Sequence, residues 1–399
     1  MKILLLTPRI PYPLRDGGAI AMNQMLEGLL DAGASVTLLA MNTARHWVEP
    51  ETLPSVYNRL QQMETVYINN SINPFSAFLN LFTDKSYNIS RFINKDFAQQ
   101  LRKMLQAQEY DLILFESIYT SPYLWIAREH SNALCACRVH NIEHQIWQHL
   151  CDNEQSFLKK KYLRLLTSRL KNYEIDILKK FDLLLPISVK EVPFLEELKA
   201  GSIWHVPFGV DATPLQTDID QDPNTCYHIG SMDWAPNVEG IEWFLNEVWD
   251  HIKASFPEVT FYVAGKNMPA RILSKRSPQT EVVGEVDDFI AFSLSKNILI
   301  VPLRSGAGIR VKILEAMALG KPIVATSMAM EGIPAQHDKD VLIANTPDEF
   351  KQALIRCFQD TGFAQQLGSN ARDFVLLNFD KQQVYSALYE QLQKHQRVE

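Results

Sequence analysis

The chain has 399 residues, 46% of them hydrophobic and 21% charged, with a formal net charge of -7. That length exceeds the size at which a single core keeps growing, so two domains of roughly 200 residues each are expected. The acidic balance excludes a nucleic-acid binder, which needs a concentrated basic face. Five irregularly spaced cysteines (Cys135, Cys137, Cys151, Cys226, Cys357) fit reduced thiols in a cytoplasmic protein rather than a disulfide framework. No apolar run approaches the ~20 residues that span a bilayer, so the chain is expected to be soluble or peripheral.

The first apolar run, Ile3 to Leu6, is too short for a signal peptide and ends in Thr7-Pro8, so it reads as a buried strand. Further apolar runs near 35–40, 63–68, 110–116, 133–139, 181–187 and 202–207 alternate with amphipathic helical patterns. Such alternation predicts right-handed strand-helix-strand units and parallel sheets. The apolar and aromatic segment Pro74 to Phe82 is read either as a core helix or as a lipid-facing patch. The segment 157–180, with Lys159, Lys160, Lys161, Arg164, Arg169, Lys171, Lys179 and Lys180, is either a solvated helix face or a contact for anionic headgroups. Residues Thr213 to Asn224 have no periodicity and read as an interdomain linker. A second strand series follows near 225–230, 258–264, 281–283, 297–302, 322–326 and 341–343, and the tail from Phe379 carries a helical spacing of Val384, Leu388 and Leu392.

Open parallel sheets bind ligands at the carboxyl ends of their strands, and several glycine-bearing turns fall there. Ser305 to Pro322 follows the strand near 297–302 and feeds a Gly-rich turn into a helix: Gly306, Ala307, Gly308 and Ile309 precede Arg310, Lys312 and Glu315. Helix N-terminal amides with two cations favour phosphate, whereas a carboxylate on the same helical face suits sugar hydroxyls, so a nucleoside diphosphate is the expected ligand. Arg310 and Lys312 both reach one phosphate only if the helix begins near 310. Gly17-Gly18, Gly230-Ser231 and Ala264-Gly265-Lys266 are weaker signals of the same kind, since a plain tight turn explains each. Cys135, Cys137, His140 and His144 lack metal-site spacing, and no metal site is expected. His140 ends a strand at the expected crevice, followed by Asn141, and Glu116 ends another; each is a candidate ligand contact or an ordinary strand-end group. No G-x-S-x-G elbow joins Ser117 to His140, which excludes a hydrolase triad.

The block Leu314-Glu-Ala-Met-Ala-Leu-Gly-Lys-Pro322, the junction Pro207-Phe-Gly-Val-Asp211, Ser188 and Arg138-Val-His-Asn-Ile-Glu-His144 resemble retaining GT-B glycosyltransferases of the family 4 type, also called glycosyl transferases group 1. The resemblance covers nearly the whole chain. It implies an α/β fold of two Rossmann-like, doubly wound parallel-sheet domains facing across a cleft. The first, 1–207, would bind acceptor and the second, 208–378, nucleotide sugar; a helix at 379–399 would pack back on the first. It also implies a UDP- or GDP-linked sugar donor and no cofactor or metal. The acceptor would be a saccharide or lipid-linked saccharide, and the location cytoplasmic with peripheral contact at the inner membrane leaflet.

Carried over by position, Glu315 matches the ribose-binding second glutamate of the family's E-x7-E pair, whereas Ala307 stands where the first would be. Arg310 and Lys312 then take the diphosphate, and His140 the reaction zone. Gly17, Gly18, Gly230, Ser231, Lys266 and the loop at Val283 and Val286 line the donor, with Glu116 and Asn141 toward the acceptor. The implied activity is retaining sugar transfer in surface polysaccharide or glycolipid assembly. A nucleotide-sugar 2-epimerase of the same fold and a non-catalytic nucleotide-sugar binder are the alternatives, the latter because of Ala307.

Overall fold

The computed structural model describes residues 1–14, 16–211, 219–306 and 308–396. The first half of the expected linker, 213–218, and Ala307 lie outside the described residues. The chain forms two compact units, Met1–Gly209 with Lys381–Glu399, and Val210–Asp380.

In the first unit, strands β1 (Lys2–Thr7), β2 (Ser35–Thr43), β3 (Gln62–Ile68), β4 (Leu112–Glu116), β5 (Leu134–Val139), β6 (Leu183–Pro186) and β7 (Ser202–Ile203) form one sheet in the order β3-β2-β1-β4-β5-β6-β7. Every pairing is parallel. Parallel sheets are covered on both faces, which is why β1 is a continuous apolar run with Ile3, Leu4, Leu5 and Leu6 all fully buried. Strand alternation sends Ile3, Leu5, Leu114 and Ala136 to a face covered by Met25, Leu26 and Leu29 of the helix Gly17–Asp31. Tyr385, Leu388 and Leu392 of the helix Lys381–Gln396 cover the same face. Leu4, Leu6, Phe115, Cys135 and Cys137 go to the opposite face with Phe97, Leu101 and Leu170, so the two thiols are core groups.

The helix Lys381–Gln396 is fixed to the first unit by more than its leucines. Lys381 pairs with Glu27, and the Tyr389 hydroxyl accepts from the Met1 amino group at 3.3 Å. Gly28 is required beneath it, because a Cβ there would lie 2.2 Å from the Tyr385 ring.

The short helix Pro74–Asn80 is not in the core: Phe75, Phe78 and Phe82 are 69%, 56% and 77% exposed. Polar contacts hold its end instead, with Arg169 of the helix Phe157–Leu178 donating to the carbonyls of Asn80 at 2.8 Å and Leu81 at 3.1 Å. Of the two readings of this segment, the core helix is therefore wrong.

In the second unit, β8 (Thr225–Ile229), β9 (Thr260–Ala264), β10 (Thr280–Gly284), β11 (Ile298–Val301), β12 (Ile323–Ala325) and β13 (Leu342–Ile343) are also all parallel, in the order β10-β9-β8-β11-β12-β13. Its core includes Phe244, Trp249, Phe261, Ile300 and Phe350.

Overpacking the junction of the two helices in the first unit tests it directly. Gly28→Ala is expected to lower stability by about 1–3 kcal/mol, read by chemical denaturation, because the backbone at 28 and the Tyr385 ring must separate.

Candidate functional site

In each sheet the strand order reverses beside the first strand, between β1 and β4 and between β8 and β11. Loops leave such a reversal in opposite directions and open a crevice at the carboxyl edge.

In the second unit the helix after β11 spans Val311–Ala318, with Arg310 at its N-cap position and no side chain capping its first turn. The Ile313 amide donates to the Arg310 carbonyl at 2.8 Å, and among the described residues no side chain takes the amides of Val311 and Lys312 ahead of it. Gly306 and Gly308 adopt φ of 106° and 88° in the turn before it. A Cβ on Gly306 would lie 2.6 Å from the Trp234 indole, so the turn packs directly on that ring. The Arg310 guanidinium lies over the same ring, 5.1 Å from its centroid, and also donates to the Gly308 carbonyl.

Lys312 reaches the end of β8. Its Nζ lies 3.0 Å from the Ile229 carbonyl, 3.0 Å from Asn237 Oδ1 and 3.3 Å from His228 Nε2. Burial, then the Arg310 charge, lowers its pKa to about 7. Burial alone pushes the Glu315 carboxyl, one turn further on, up to about 7.

Around β8 the loops interlock. A Cβ on Gly230 would lie 2.7 Å from Asn237 Nδ2 and 3.0 Å from Lys312 Nζ. Gly265, at φ 147°, would place one 1.9 Å from the Gly230 carbonyl. Met232 donates to the Lys266 carbonyl at 3.0 Å, and the Lys266 ammonium lies 3.6 Å from Asp233. Ser231 Oγ donates to Asp233 at 3.2 Å. Gly265 also donates to the Gly284 carbonyl at 2.6 Å, which brings the end of β10, with exposed Val283 and half-buried Val286 beyond it, to the same edge. Half-buried Ile309 completes the turn, while Ala307 is outside the described residues.

In the first unit, Glu116 at the end of β4 is fully buried and its Oε2 lies 2.6 Å from His140 Nε2. Ser117 follows at φ 76°, a left-handed conformation for a non-glycine residue at the strand reversal. Asn141, half-buried, lies in the turn between β5 and the helix Glu143–Asn153. That helix is capped from a distance, Glu174 accepting from the amides of Glu143 at 2.8 Å and His144 at 2.9 Å. Gly17 and Gly18 begin the helix Gly17–Asp31. Asp16 caps this turn, accepting from Gly18 N at 3.0 Å and Ala19 N at 3.1 Å, and pairs with Arg9, whose guanidinium occupies the space beside Gly18. The Gly18 amide is thus already engaged.

The structure brings Gly230, Ser231, Lys266, Gly306, Gly308, Arg310 and Lys312 together at the carboxyl edge of the second sheet, and Glu116, His140 and Asn141 at that of the first. Residues not singled out from the sequence are Trp234, Asn237 and His228. Asn237 lies in the first turn of the helix Ala235–Phe244, where its amide donates to the Ser231 carbonyl at 2.8 Å and accepts from Lys312. Among the described residues no group of three or more His, Cys, Asp or Glu side chains is arranged to hold a metal. Among the described residues no helix is long and apolar enough to cross a membrane.

Residues 223–360, most of the second unit, match the family described as Glycosyl transferases group 1. Through this segment the chain is similar to the glycosyl transferases group 1 family. A Klebsiella pneumoniae protein, named as an uncharacterized 44.6 kDa protein in a cps region, is 26% identical over 98% of this chain and 99% of its own length. Sucrose-phosphate synthase from Thermosynechococcus elongatus, 16% identical, superposes with a TM-score of 0.71 over 100% of both chains. Anabaena HepE in complex with UDP-glucose, 14% identical, gives 0.64 over 99% of this chain and 100% of its own. The chain therefore has the GT-B fold.

The lowered Lys312 pKa sets a pH dependence. Should this site take a nucleoside diphosphate, the bound anion raises the Lys312 pKa, so binding takes up a proton once the free group has lost its own. UDP affinity measured calorimetrically is expected to be steady below pH 7 and to weaken above it, approaching about tenfold per pH unit; Lys312→Met removes the part of that slope due to this group.

Proposed function

We propose that the chain transfers a sugar from a UDP- or GDP-linked donor to a hydroxyl of a saccharide or lipid-linked saccharide, with retention of anomeric configuration. The observation that carries this reading is the uncapped first turn of Val311–Ala318, with Arg310 and Lys312 converging on the end of β8. Amides and cations fixed before the ligand arrives stabilise a leaving diphosphate without reorganisation. The bond from the anomeric carbon to the phosphate oxygen breaks with its electron pair going to the diphosphate. The acceptor oxygen bonds to that carbon on the same face, and its proton goes to the leaving phosphate. Retention is supported by the likeness of 314–322 to the retaining type, and a nucleotide-sugar donor by the UDP-glucose complex of HepE.

Glu315 takes the ribose hydroxyls and the backbone near Val283 and Val286 the base, while Gly230, Ser231, Lys266 and the 306–309 turn enclose the diphosphate sugar. His140, Glu116 and Asn141 serve the reaction zone and acceptor, with Gly17, rather than the already engaged Gly18, giving close backbone approach. The cps-region relative fits a role in surface polysaccharide assembly. Around the exposed helix Pro74–Asn80 lies an open cavity of about 710 Å³ lined in part by Ile72, Leu79, Lys85 and Arg91. The exposed rings of Phe75, Phe78 and Phe82 suit a lipid-linked acceptor presented at the inner leaflet.

A thermal-shift panel of UDP, GDP, ADP and their sugars identifies the donor by the stabilisation it confers. For the donor so found, Lys312→Ala and Glu315→Ala are each expected to weaken binding about tenfold to a hundredfold; unchanged affinity in both overturns the site. Release of free nucleoside diphosphate only with a saccharide acceptor supports transfer. An epimerised donor formed without acceptor points to the epimerase, and binding with neither product to a non-catalytic protein.

A further inference from the structure

The first unit buries a cation that the proposed transfer does not use. Arg138 lies on β5 two residues beyond Ala136 and on the same face of the sheet, and its side chain is wholly inaccessible. None of its three guanidinium nitrogens has a hydrogen-bond partner among the described residues. Burying a cation without such partners is costly, and an apolar side chain of similar volume is commonly neutral or stabilising in its place. Packing therefore does not account for an arginine here, whereas its charge does. The β4–β5 register sets Arg138 directly opposite Glu116, which is also fully buried, with Oε1 unpartnered among the described residues and Oε2 on His140 Nε2.

We propose that Arg138 is a positioning residue that keeps the buried Glu116 carboxylate ionised, so that Glu116 holds the His140 ring by Nε2 and leaves Nδ1 for a ligand hydroxyl. The inference deepens the role given to His140 in sugar transfer. Arg138 and Glu116 are register partners across β4 and β5, and the Glu116 carboxylate meets the His140 imidazole at 2.6 Å.

Other titratable groups face this line from every side. Tyr385 comes from the helix Lys381–Gln396, its hydroxyl pushed up to about 12 by burial against the opposing Arg138 charge. His205 follows β7 and is held down by burial, a hydrogen bond from its ring to the Ile187 carbonyl and Arg138 acting in opposite directions. Cys137 on β5 is pushed up by burial and then by Glu116 and Glu174, and Glu27 from the helix Gly17–Asp31 acts on Tyr385. Arg138 is the cation directly across the ladder from Glu116. Removing a positive charge favours the protonated form of every neighbour, so the Glu116–His140 pair should retain its shared proton to higher pH without it.

The test reads the imidazole itself and needs no substrate, so it stands or falls separately from sugar transfer. In the full chain, histidine resonances are followed by NMR over pH, with His140→Gln assigning the signal. Arg138→Met is expected to raise the His140 titration midpoint by roughly one pH unit or more, with a melting temperature equal to or above that of the parent. Arg138→Lys is expected to stay near the parent value. A Met variant with an unmoved midpoint overturns the proposal, as does a Lys variant that shifts as far as Met. Should the Met variant fail to fold, Arg138→Gln removes the same charge while keeping hydrogen-bonding capacity, and the same upward shift is required of it.

Discussion

A buried ammonium cannot be left without partners, and the geometry of the second unit follows from how Lys312 finds them. Its three contacts are the Ile229 carbonyl, the Asn237 amide and the His228 ring. His228 is itself fully buried, with Nδ1 2.8 Å from the Ile300 carbonyl, so Nδ1 carries the proton and Nε2 offers a lone pair to the ammonium. Burial and the Lys312 charge hold that imidazole well below its ordinary pKa, which keeps it neutral. One side chain from the helix after β11 is thereby locked to the end of β8, across the reversal of strand order where ligands bind in such sheets.

The glycines around this lock are consequences of it. Gly230 has no Cβ because Lys312 Nζ and Asn237 occupy that space, and Gly265 has none because the Gly230 carbonyl does. Gly306 is empty on the side of Trp234, the ring on which Arg310 lies. Each closes the backbone against a cation or its support, so the donors are in place before any anion arrives. That is the condition under which electrostatic stabilisation of a leaving group is most effective.

Much of this architecture was legible in the sequence, because parallel strands buried on both faces are short apolar runs and all thirteen lie where such runs occur. The helix start near 310 was legible from its glycines, and the tail helix from the spacing of Leu388 and Leu392. What escaped depends on tertiary register. Glu116 and His140 are 24 residues apart and meet only because β4 and β5 pair as they do. Asn237 is 75 residues from Lys312, and no local pattern marks it as a partner. The segment Pro74–Phe82 favoured a core helix over a surface patch on its hydrophobicity, which reports what a side chain avoids, not whether a neighbour covers it. Its exposure follows from Arg169, which anchors the end of that helix by its carbonyls rather than by its rings.

The two units use one construction with opposite polar content. At the carboxyl edge of the second sheet the fixed groups are donors: first-turn amides, Arg310 and Lys312, with Glu315 set apart one turn along. At that of the first the central group is an acceptor, the Glu116 carboxylate, with an imidazole on one oxygen and a buried guanidinium across the ladder. Donor-rich edges suit anions; a carboxylate–imidazole pair suits hydroxyls, which both give and accept hydrogen bonds. Duplicating a parallel sheet therefore does not duplicate its chemistry. The strand ends are fixed by the fold, and the residue types placed there decide that one edge suits an anion and the other a hydroxyl.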